Sequence, residues 1–313
     1  MRLLLAALCL LLAGPALAQQ SYPDRPVRVV VPYSAGGPTD TTARLFAEQF
    51  SRRFGQPFVV ENRVGGGTSI GAALVARAAP DGYTLFISNF ASNVVNGWLR
   101  RLDYDPAGFS HAGMLSRSTM FLMVAHNSPI HSVADLVRLA RQKPGGLTFA
   151  TNGAGTPNHL LSELLRLSAN IPLTHVPYTG SSQSNLDLTA GRVDFMFDAN
   201  SMILSGQARG VAVADTQRWP TLPNLPIMAE AGYPEVALTT FFGLAAPANT
   251  PEPILESLHA AIVQAAADAT LVQRMGTTGF VPFQASRAET AAFIARESTK
   301  WRAVIADARI SVE

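Results

Sequence analysis

Residues 27–40 read Val27-Arg28-Val29-Val30-Val31-Pro32-Tyr33-Ser34-Ala35-Gly36-Gly37-Pro38-Thr39-Asp40. The first five, four of them valine, make the short β-branched run expected of a buried strand. A proline, small residues and paired glycines then end the strand, and Asp40 is a good helix N-cap. Ala43, Phe46, Ala47 and Phe50 follow at spacings of three and four, so a helix is expected next. Glycines at the carboxyl end of a strand let backbone N–H groups approach a ligand, and a helix amino terminus favours an anion. The loop lacks both the Lys-Ser/Thr ending of a phosphate loop and the G-x-G-x-x-G spacing of a dinucleotide site. A carboxylate suits it better than a nucleotide. The competing reading is a tight turn in which Asp40 only caps the helix.

The same unit recurs along the chain. Further strands are expected at 58–60, 84–88, 121–125, 147–151, 173–176, 193–197 and 211–214, with helices at 69–79, 133–142, 158–168 and 182–190. This alternation implies βαβ units and open, mostly parallel sheets. A long helix is expected over 251–275, with Thr250 as cap and Pro251 at its first position. Ser286 and Glu289 fit a capping box ahead of a last helix with Phe293, Trp301 and Ile305 on its apolar stripe. Near 125–127 and again near 239–241 the chain is expected to pass from one α/β block to another, leaving a cleft between two lobes.

Two more loops share the character of the first. Thr151-Asn152-Gly153-Ala154-Gly155-Thr156-Pro157-Asn158-His159 follows one strand, and Ser88-Asn89-Phe90-Ala91-Ser92-Asn93 follows another. Ligands of open α/β sheets sit beyond the carboxyl ends of the strands, so three small polar loops at such ends predict one convergent site.

Composition narrows the function. The chain has 313 residues, 48% hydrophobic and 15% charged, with net charge +2. Only Lys143 and Lys300 are lysines. The near balance of charge argues against nucleic acid as a partner. Arg2, an apolar run over 3–12 and Ala16-Leu17-Ala18 describe a secretory signal peptide at residues 1–18. The apolar run is shorter than the roughly 20 residues a membrane span needs. Cleavage would remove Cys9, the sole cysteine, and with it any disulfide or thiol chemistry.

Several side chains need weighing. Gly67-Thr68-Ser69-Ile70-Gly71 matches the G-x-S-x-G nucleophile elbow, but a glycine-rich stretch separates Ser69 from the preceding strand. A secreted serine hydrolase using Ser69 is therefore the minor alternative. The six histidines show no metal-binding spacing, so no zinc site or other cofactor is expected. Asp194 and Asp198 flank a strand, and one of them could face the cleft. Arg44, Arg63 and Arg192 could pair with a carboxylate, though solvated or structural arginines are commoner.

At these loops the chain resembles the tripartite tricarboxylate transporter receptors, also called Bug-type solute-binding proteins. The resemblance spans nearly everything after the signal segment. It rests on Tyr22-Pro23-Asp24-Arg25-Pro26 leading into the first strand, Val60-Glu61-Asn62-Arg63, Ala79-Pro80-Asp81-Gly82-Tyr83 and Tyr104-Asp105-Pro106. Gly153-x-Gly155-Thr156-x-x-His159, His175-Val176-Pro177-Tyr178-x-Gly180, Asp194-x-Met196-Phe197-Asp198 and Phe242-Gly243-Leu244 continue it.

The resemblance implies an α/β, type II periplasmic binding protein fold, two α/β lobes with a ligand cleft between them. Lobe 1 would be residues 22–124 plus 240–313, and lobe 2 residues 125–239. It implies a periplasmic, monomeric receptor with no catalytic residues. Such a receptor would capture a small mono- or dicarboxylate, aromatic acids included, and pass it transiently to membrane permease subunits. An accessory that presents its ligand to a sensor kinase is the alternative. The implied binding residues are Tyr33, Ser34, Ala35, Gly36 and Asp40 of the first loop and Thr151, Asn152, Gly155, Thr156 and His159 of the second. Ser88, Asn89, Ser92, Tyr178 and Asp198 are expected in the cleft as well. Three departures fall where specificity should lie: Pro38 replaces a glycine, Asn89-Phe90-Ala91-Ser92 replaces a Gly-Thr, and Ala199 stands where an amide is usual. The ligand's far end is expected to meet Phe90.

Overall fold

The computed structural model describes residues 22–178, 181–276 and 279–312. The expected signal segment at 1–18 and Gly180 lie outside them. The valine run is strand β1 (Val27–Val31), and the helix after its loop is α1 (Pro38–Phe54). Strands β2 (Phe58–Asn62), β3 (Thr84–Asn89) and β4 (Phe109–Thr119) follow, with helix α2 (Ser69–Ala76) between β2 and β3. The middle of the chain supplies β5 (Phe121–Ala125), β6 (Leu147–Thr151), β7 (Leu173–Pro177), β8 (Phe195–Asp198) and β9 (Ala208–Val213). Helix α3 (Val133–Gln142) precedes β6, and α4 (Pro157–Ala169) joins β6 to β7. The end supplies β10 (Thr239–Pro247), α5 (Glu252–Ala266), α6 (Ala269–Gly276), β11 (Val281–Pro282) and α7 (Arg287–Asp307).

These strands form two sheets of one design. The first runs β11-β4-β10-β3-β1-β2 and the second β7-β6-β8-β5-β9. In the first, β1 lies parallel between β2 and β3, and β10 is antiparallel to both β3 and β4. In the second, β6 lies parallel between β7 and β8, and β5 is antiparallel to both β8 and β9. Each sheet thus sets an antiparallel strand from the other half of the chain between three adjacent parallel strands and a fourth parallel one, β4 or β9, and the first sheet adds β11 antiparallel to β4. The sheets are mixed, where mostly parallel ones were expected, because those exchanged strands enter from the opposite direction.

The first passage lies at Met120, between β4 and β5, several residues before the expected 125–127. Residues 121–124 therefore belong with the second sheet. The second passage leads into β10 at Thr239, inside the expected 239–241. The two are tied together. The Thr119 hydroxyl lies 2.9 Å from the Ala214 carbonyl and 3.2 Å from that of Leu238, while Ala214 N–H donates to Met120 O and Leu238 N–H to Ala214 O, both at 2.9 Å. Beside them Arg117 of β4 pairs with Asp215 just after β9 at 2.7 Å. The same guanidinium lies over the Trp219 ring, which meets Phe121 edge-on.

Strand β4 has no counterpart among the expected strands. It carries Ser110, His111, Ser116, Arg117, Ser118 and Thr119 among its eleven residues, so neither alternation nor an apolar run marks it. Its place between β10 and β11 makes it a strand. The helix expected over 251–275 is two helices. Asp268 accepts the Leu271 N–H at 2.8 Å and so starts α6 afresh. Thr250 caps nothing there: Pro251 is the N-cap, and the Thr250 hydroxyl donates to Pro247 O. The capping box of Ser286 and Glu289 is formed at the start of α7.

Packing binds the halves into one body. Phe46 and Phe50 of α1 bury against the first sheet with Leu258 and Ile262 of α5. A second core joins Phe149, Leu160, Leu164 and Phe195 of the middle segment to Phe90, Val94 and Leu99 of the first. Ile294, Trp301, Val304 and Ile305 of α7 complete that core, with Trp301 edge-on to Phe90 at 5.8 Å. Helix α7, expected with lobe 1, thus bridges both halves.

The Arg117–Asp215 pair has side chains only 14% and 1% exposed. Asp215→Ala leaves a nearly buried guanidinium unpaired and is predicted to cost about 3–5 kcal/mol of unfolding free energy. Urea unfolding followed by circular dichroism measures it. A loss too small to resolve would show that Trp219 and solvent hold Arg117 without the carboxylate.

Candidate functional site

The first loop is organised by Asp40. Its carboxylate is buried and accepts Gly36 N–H, Asn62 Nδ2 and Arg44 Nε, each at 2.9 Å. Asn62 Nδ2 also reaches the Tyr33 carbonyl at 2.9 Å, so both ends of the loop are fastened to one network. Burial raises the Asp40 pKa, but the bonds from Arg44, Gly36 and Asn62 outweigh it and hold the carboxyl below its ordinary range. Gly36 takes φ +83°, a left-handed conformation that a side chain would strain. Asp40 caps nothing, contrary to expectation: Gly37 is the N-cap of α1, Pro38 opens the first turn, and no side chain caps its amides. They therefore face whatever lies beyond the loop.

Beyond it lies a cavity of about 610 Å³. Its walls are Tyr33, Ser34, Ala35, Gly37, Pro38 and Thr39 of the first loop, Asn89, Phe90 and Ala91 after β3, Thr240, Phe241 and Phe242 of β10, Pro157 and Phe280. None of these side chains is charged. Asn89 is held in place by Tyr33 Oη, which donates to its Oδ1 at 3.2 Å, and by the Ser92 N–H at 3.1 Å. Ser92 is fully buried and serves Asn89. Ser88 lies beneath the wall, where a Cβ on Gly243 would stand 2.7 Å from its Oγ. Phe90 turns its ring inward against Trp301 and is 3% exposed, so little of it is left to meet a ligand.

The second loop bonds most of its polar groups internally, the buried Asn158 Nδ2 excepted. Gly155 N–H donates to His159 Nδ1 at 3.0 Å, Gly153 N–H to Thr151 Oγ1 at 3.3 Å, and Asn152 N–H to Asn158 Oδ1 at 3.4 Å. Thr156 Oγ1 donates to Gly153 O at 2.6 Å and lies 2.5 Å from Asn158 Oδ1. His159 stacks on His175 with ring centroids 4.0 Å apart, and Thr151 Oγ1 lies 2.6 Å from His175 Nε2. Gly155 has φ +73°, and a Cβ there would come within 2.8 Å of Leu99 and Val312, so it seats the loop against the other half. Helix α4 repeats α1: N-cap Thr156, Pro157 in its first turn and no side-chain cap. Pro157 is the residue of this loop that lines the cavity.

Of the expected site residues, the structure thus brings Tyr33, Ser34, Ala35 and Asn89 to the cavity wall. Asp40, Ser88 and Ser92 are buried outside the lining, Gly36 is exposed outside it, and Thr151, Asn152, Gly155, Thr156 and His159 belong to the loop from which Pro157 lines the cavity. Tyr178 donates its hydroxyl to Asp187 at 2.7 Å, away from the wall. Asp198 ends β8, where its Oδ1 accepts the Ala199 N–H, and burial pushes its carboxyl up. Asp194 is structural, bound by Lys143 and by the Thr148 N–H and hydroxyl. Arg44, Arg63 and Arg192 pair with Asp40, Glu61 and Asp187. Ser69 opens α2 after a 3₁₀ turn and not at a strand end. Sequence reasoning missed Thr240, Phe241, Phe242 and Phe280; the expected passage at 239–241 was the signal that could have found the first two. No group of three or more metal-ligating side chains occurs among the described residues.

Burial pushes His159 and His175 down to about 4, and for His175 the neighbouring His159 adds to it while Glu163 opposes it. A neutral His159 also leaves Nδ1 free to accept the Gly155 N–H. An unfolded histidine binds a proton below about 6.5, where these do not, so folding stability is full above pH 6.5 and falls as pH drops toward 4. The slope is at most about 1.4 kcal/mol per pH unit for each such histidine. Urea midpoints between pH 7 and 4.5 should fall accordingly, and less steeply in His159→Asn, which keeps an acceptor for Gly155. Equal slopes in the two proteins would refute the assignment to His159.

A family model described as a tripartite tricarboxylate transporter family receptor matches residues 42–310. A protein of Pseudomonas sp. (strain P51), described as the UPF0065 protein in the tcbD-tcbE intergenic region, is 35% identical over 316 residues, spanning 96% of this chain and 94% of its own. The solved structure of R. palustris Rpa4515 with adipate matches with TM-score 0.78 at 34% identity, over 93% of this chain and 99% of that one. MatC (Rpa3494) from Rhodopseudomonas palustris with bound malate matches with TM-score 0.73 at 29% identity, over 91% and 100%. The family consists of substrate-binding receptors and not enzymes, which removes the hydrolase reading of Ser69. With two lobes of the type II periplasmic binding fold about one cleft, and a family model matching it from residue 42 to residue 310, the chain belongs to the tripartite tricarboxylate transporter receptor family.

Proposed function

We propose that the protein is a periplasmic receptor that captures a small carboxylated organic acid in the 610 Å³ cavity and hands it to the permease subunits of a tripartite transporter. The observation that carries this reading is the pair of helix amino termini at one cavity. Helices α1 and α4 both begin with a proline that lines it, Pro38 and Pro157, and neither N-cap side chain bonds its first amides, though in α4 Asn158 Oδ1 accepts the His159 N–H at 3.1 Å. Unmatched amides and the positive ends of two helix dipoles favour an anion without any lysine or arginine in the wall. The volume is within the range of small-ligand sites. Adipate and malate in the two similar structures are both carboxylates. Residues 1–18 fit export to the periplasm by a cleaved signal peptide, and the receptor acts as a monomer without a cofactor.

In this reading Tyr33, Ser34, Ala35 and Asn89 meet the ligand, while Gly36 and Asp40 shape the loop. Ala35 is exposed on the cavity wall, so a larger side chain there fills the cavity without disturbing the core. Thermal-shift measurements across mono- and dicarboxylates should find acids that raise the melting temperature. In Ala35→Trp that rise is predicted to vanish while the ligand-free melting temperature stays within a degree or two. If no carboxylate stabilises the protein, or if Ala35→Trp responds as the parent does, the proposed site is wrong.

A further inference from the structure

Between β4 and α7 lies a second cavity, of about 470 Å³, that shares no lining residue with the first. Phe109 and His111 of β4, Asn93, Val94 and Ile294 of α7 form its floor, and Trp98, Asp105 and Ala295 stand at an exposed rim. The π-helical turn Ala91–Val95 separates the two cavities, Ala91 lining the first and Val94 the second. Hydrogen bonds hold the walls. Asn93 Nδ2 donates to Pro106 O at 3.2 Å, and its Oδ1 accepts the Ser92 hydroxyl at 2.6 Å. Trp98 Nε1 donates to Ser298 Oγ at 3.0 Å, which ties the rim to α7.

One polar group of the floor is left over: His111 Nδ1 is buried without a hydrogen-bond partner. A buried ring nitrogen with nothing to bond costs free energy that a ligand can recover. Burial pushes this histidine down to about 4, so at neutral pH the ring is uncharged, with one nitrogen a donor and the other an acceptor. A hydroxyl group both donates and accepts, and so suits either tautomer. Among the lining residues only Asp105 is ionised, and its Oδ1 accepts the Ala107 N–H at 2.9 Å. Arg287, whose Nε donates to the His111 carbonyl at 3.2 Å, is paired with Glu252. An anion would therefore meet a carboxylate and no free cation. Val94, Phe109 and Ile294 are apolar, and the volume is within the range of small-ligand sites.

We propose that this cavity is a second binding site, for an uncharged alcohol or phenol whose hydroxyl meets His111 and whose apolar body lies on Val94, Phe109 and Ile294. The body loses water against those three side chains, and the hydroxyl fixes its direction. The proposal stands apart from the carboxylate reading, because it concerns another cavity and a ligand of opposite preference.

Amide NMR of the nitrogen-15-labelled protein at pH 7, titrated with benzyl alcohol, 4-methylphenol, benzylamine and benzoate, tests the site. Benzyl alcohol and 4-methylphenol are expected to give saturable shifts at the amides of 93–98, 107–111 and 291–299. Their affinities should be the same in Ala35→Trp, where the first cavity is filled. In that variant benzylamine and benzoate should bind at these amides at least tenfold more weakly than benzyl alcohol. Ala295→Trp, at an exposed position of α7, should abolish the alcohol shifts and leave the thermal response to carboxylates unchanged. His111→Phe keeps a ring and removes both nitrogens. It should weaken the two hydroxyl ligands roughly three- to tenfold, the worth of one hydrogen bond, and leave toluene no weaker. No saturable shift with either hydroxyl ligand overturns the proposal. So does tighter binding of benzylamine or benzoate at these amides, or an unchanged alcohol response in Ala295→Trp. Equal losses for toluene and the hydroxyl ligands in His111→Phe overturn the role given to His111.

Discussion

The Thr119 hydroxyl lies within hydrogen-bond distance of the carbonyls of Ala214 and Leu238, where the two passages between the sheets run side by side. This crossing is the constraint on which the rest depends. Each sheet takes its antiparallel strand from the other half of the chain, β10 in the first and β5 in the second. Neither sheet is complete alone, so main-chain hydrogen bonds tie the halves together. The cavity exists because β10 begins at that crossing: Thr240, Phe241 and Phe242 are at once its first turns of strand and a wall of the site.

Electrostatics at the cavity is arranged without a cationic wall. Asp40 is a buried carboxylate close to the cavity proposed to hold an anion, which would be self-defeating if its charge were free. Gly36, Asn62 and Arg44 absorb that charge, and Arg44 brings the compensating positive one. The carboxylate then acts as a post around which the loop is wound, and the amides of α1 are left to face the cavity. The second loop does the same with neutral groups, His159 taking the role of acceptor for the Gly155 amide. Both loops thus use one internal acceptor to shape a glycine turn, and both leave a proline-opened helix pointing at the same space.

Local patterns made the strand-loop-helix units legible: β1, β5 and β6 lie where valine-rich or apolar runs placed them, and the capping box at Ser286 formed as written. Patterns failed where burial came from outside the element. Strand β4 keeps Arg117 and Thr119 because groups outside it satisfy them: Asp215 pairs with the arginine, and the Ala214 and Leu238 carbonyls lie within reach of the threonine hydroxyl. The helix over 251–275 broke because Asp268 found a main-chain donor in Leu271, a choice that composition does not announce. The residues of the first loop were legible as a glycine turn between strand and helix, and they line the cavity. Their division of labour was not, since it depends on Asn62, which lies 22 positions beyond Asp40 in the chain.

By itself the sequence determined the α/β class, the two loops that begin with strands and end in helices, the family, and the near balance of charge. These follow from periodicity, turn chemistry and motif order, all of which are local or additive along the chain. Only the tertiary structure decided that the strands exchange at Met120 and Thr239, that α7 bridges both halves, and that Phe242 and Phe280 stack in the wall of the cavity. Those outcomes are pairings between distant residues. Their free energy comes from burial and hydrogen bonds that exist only once both partners are in place.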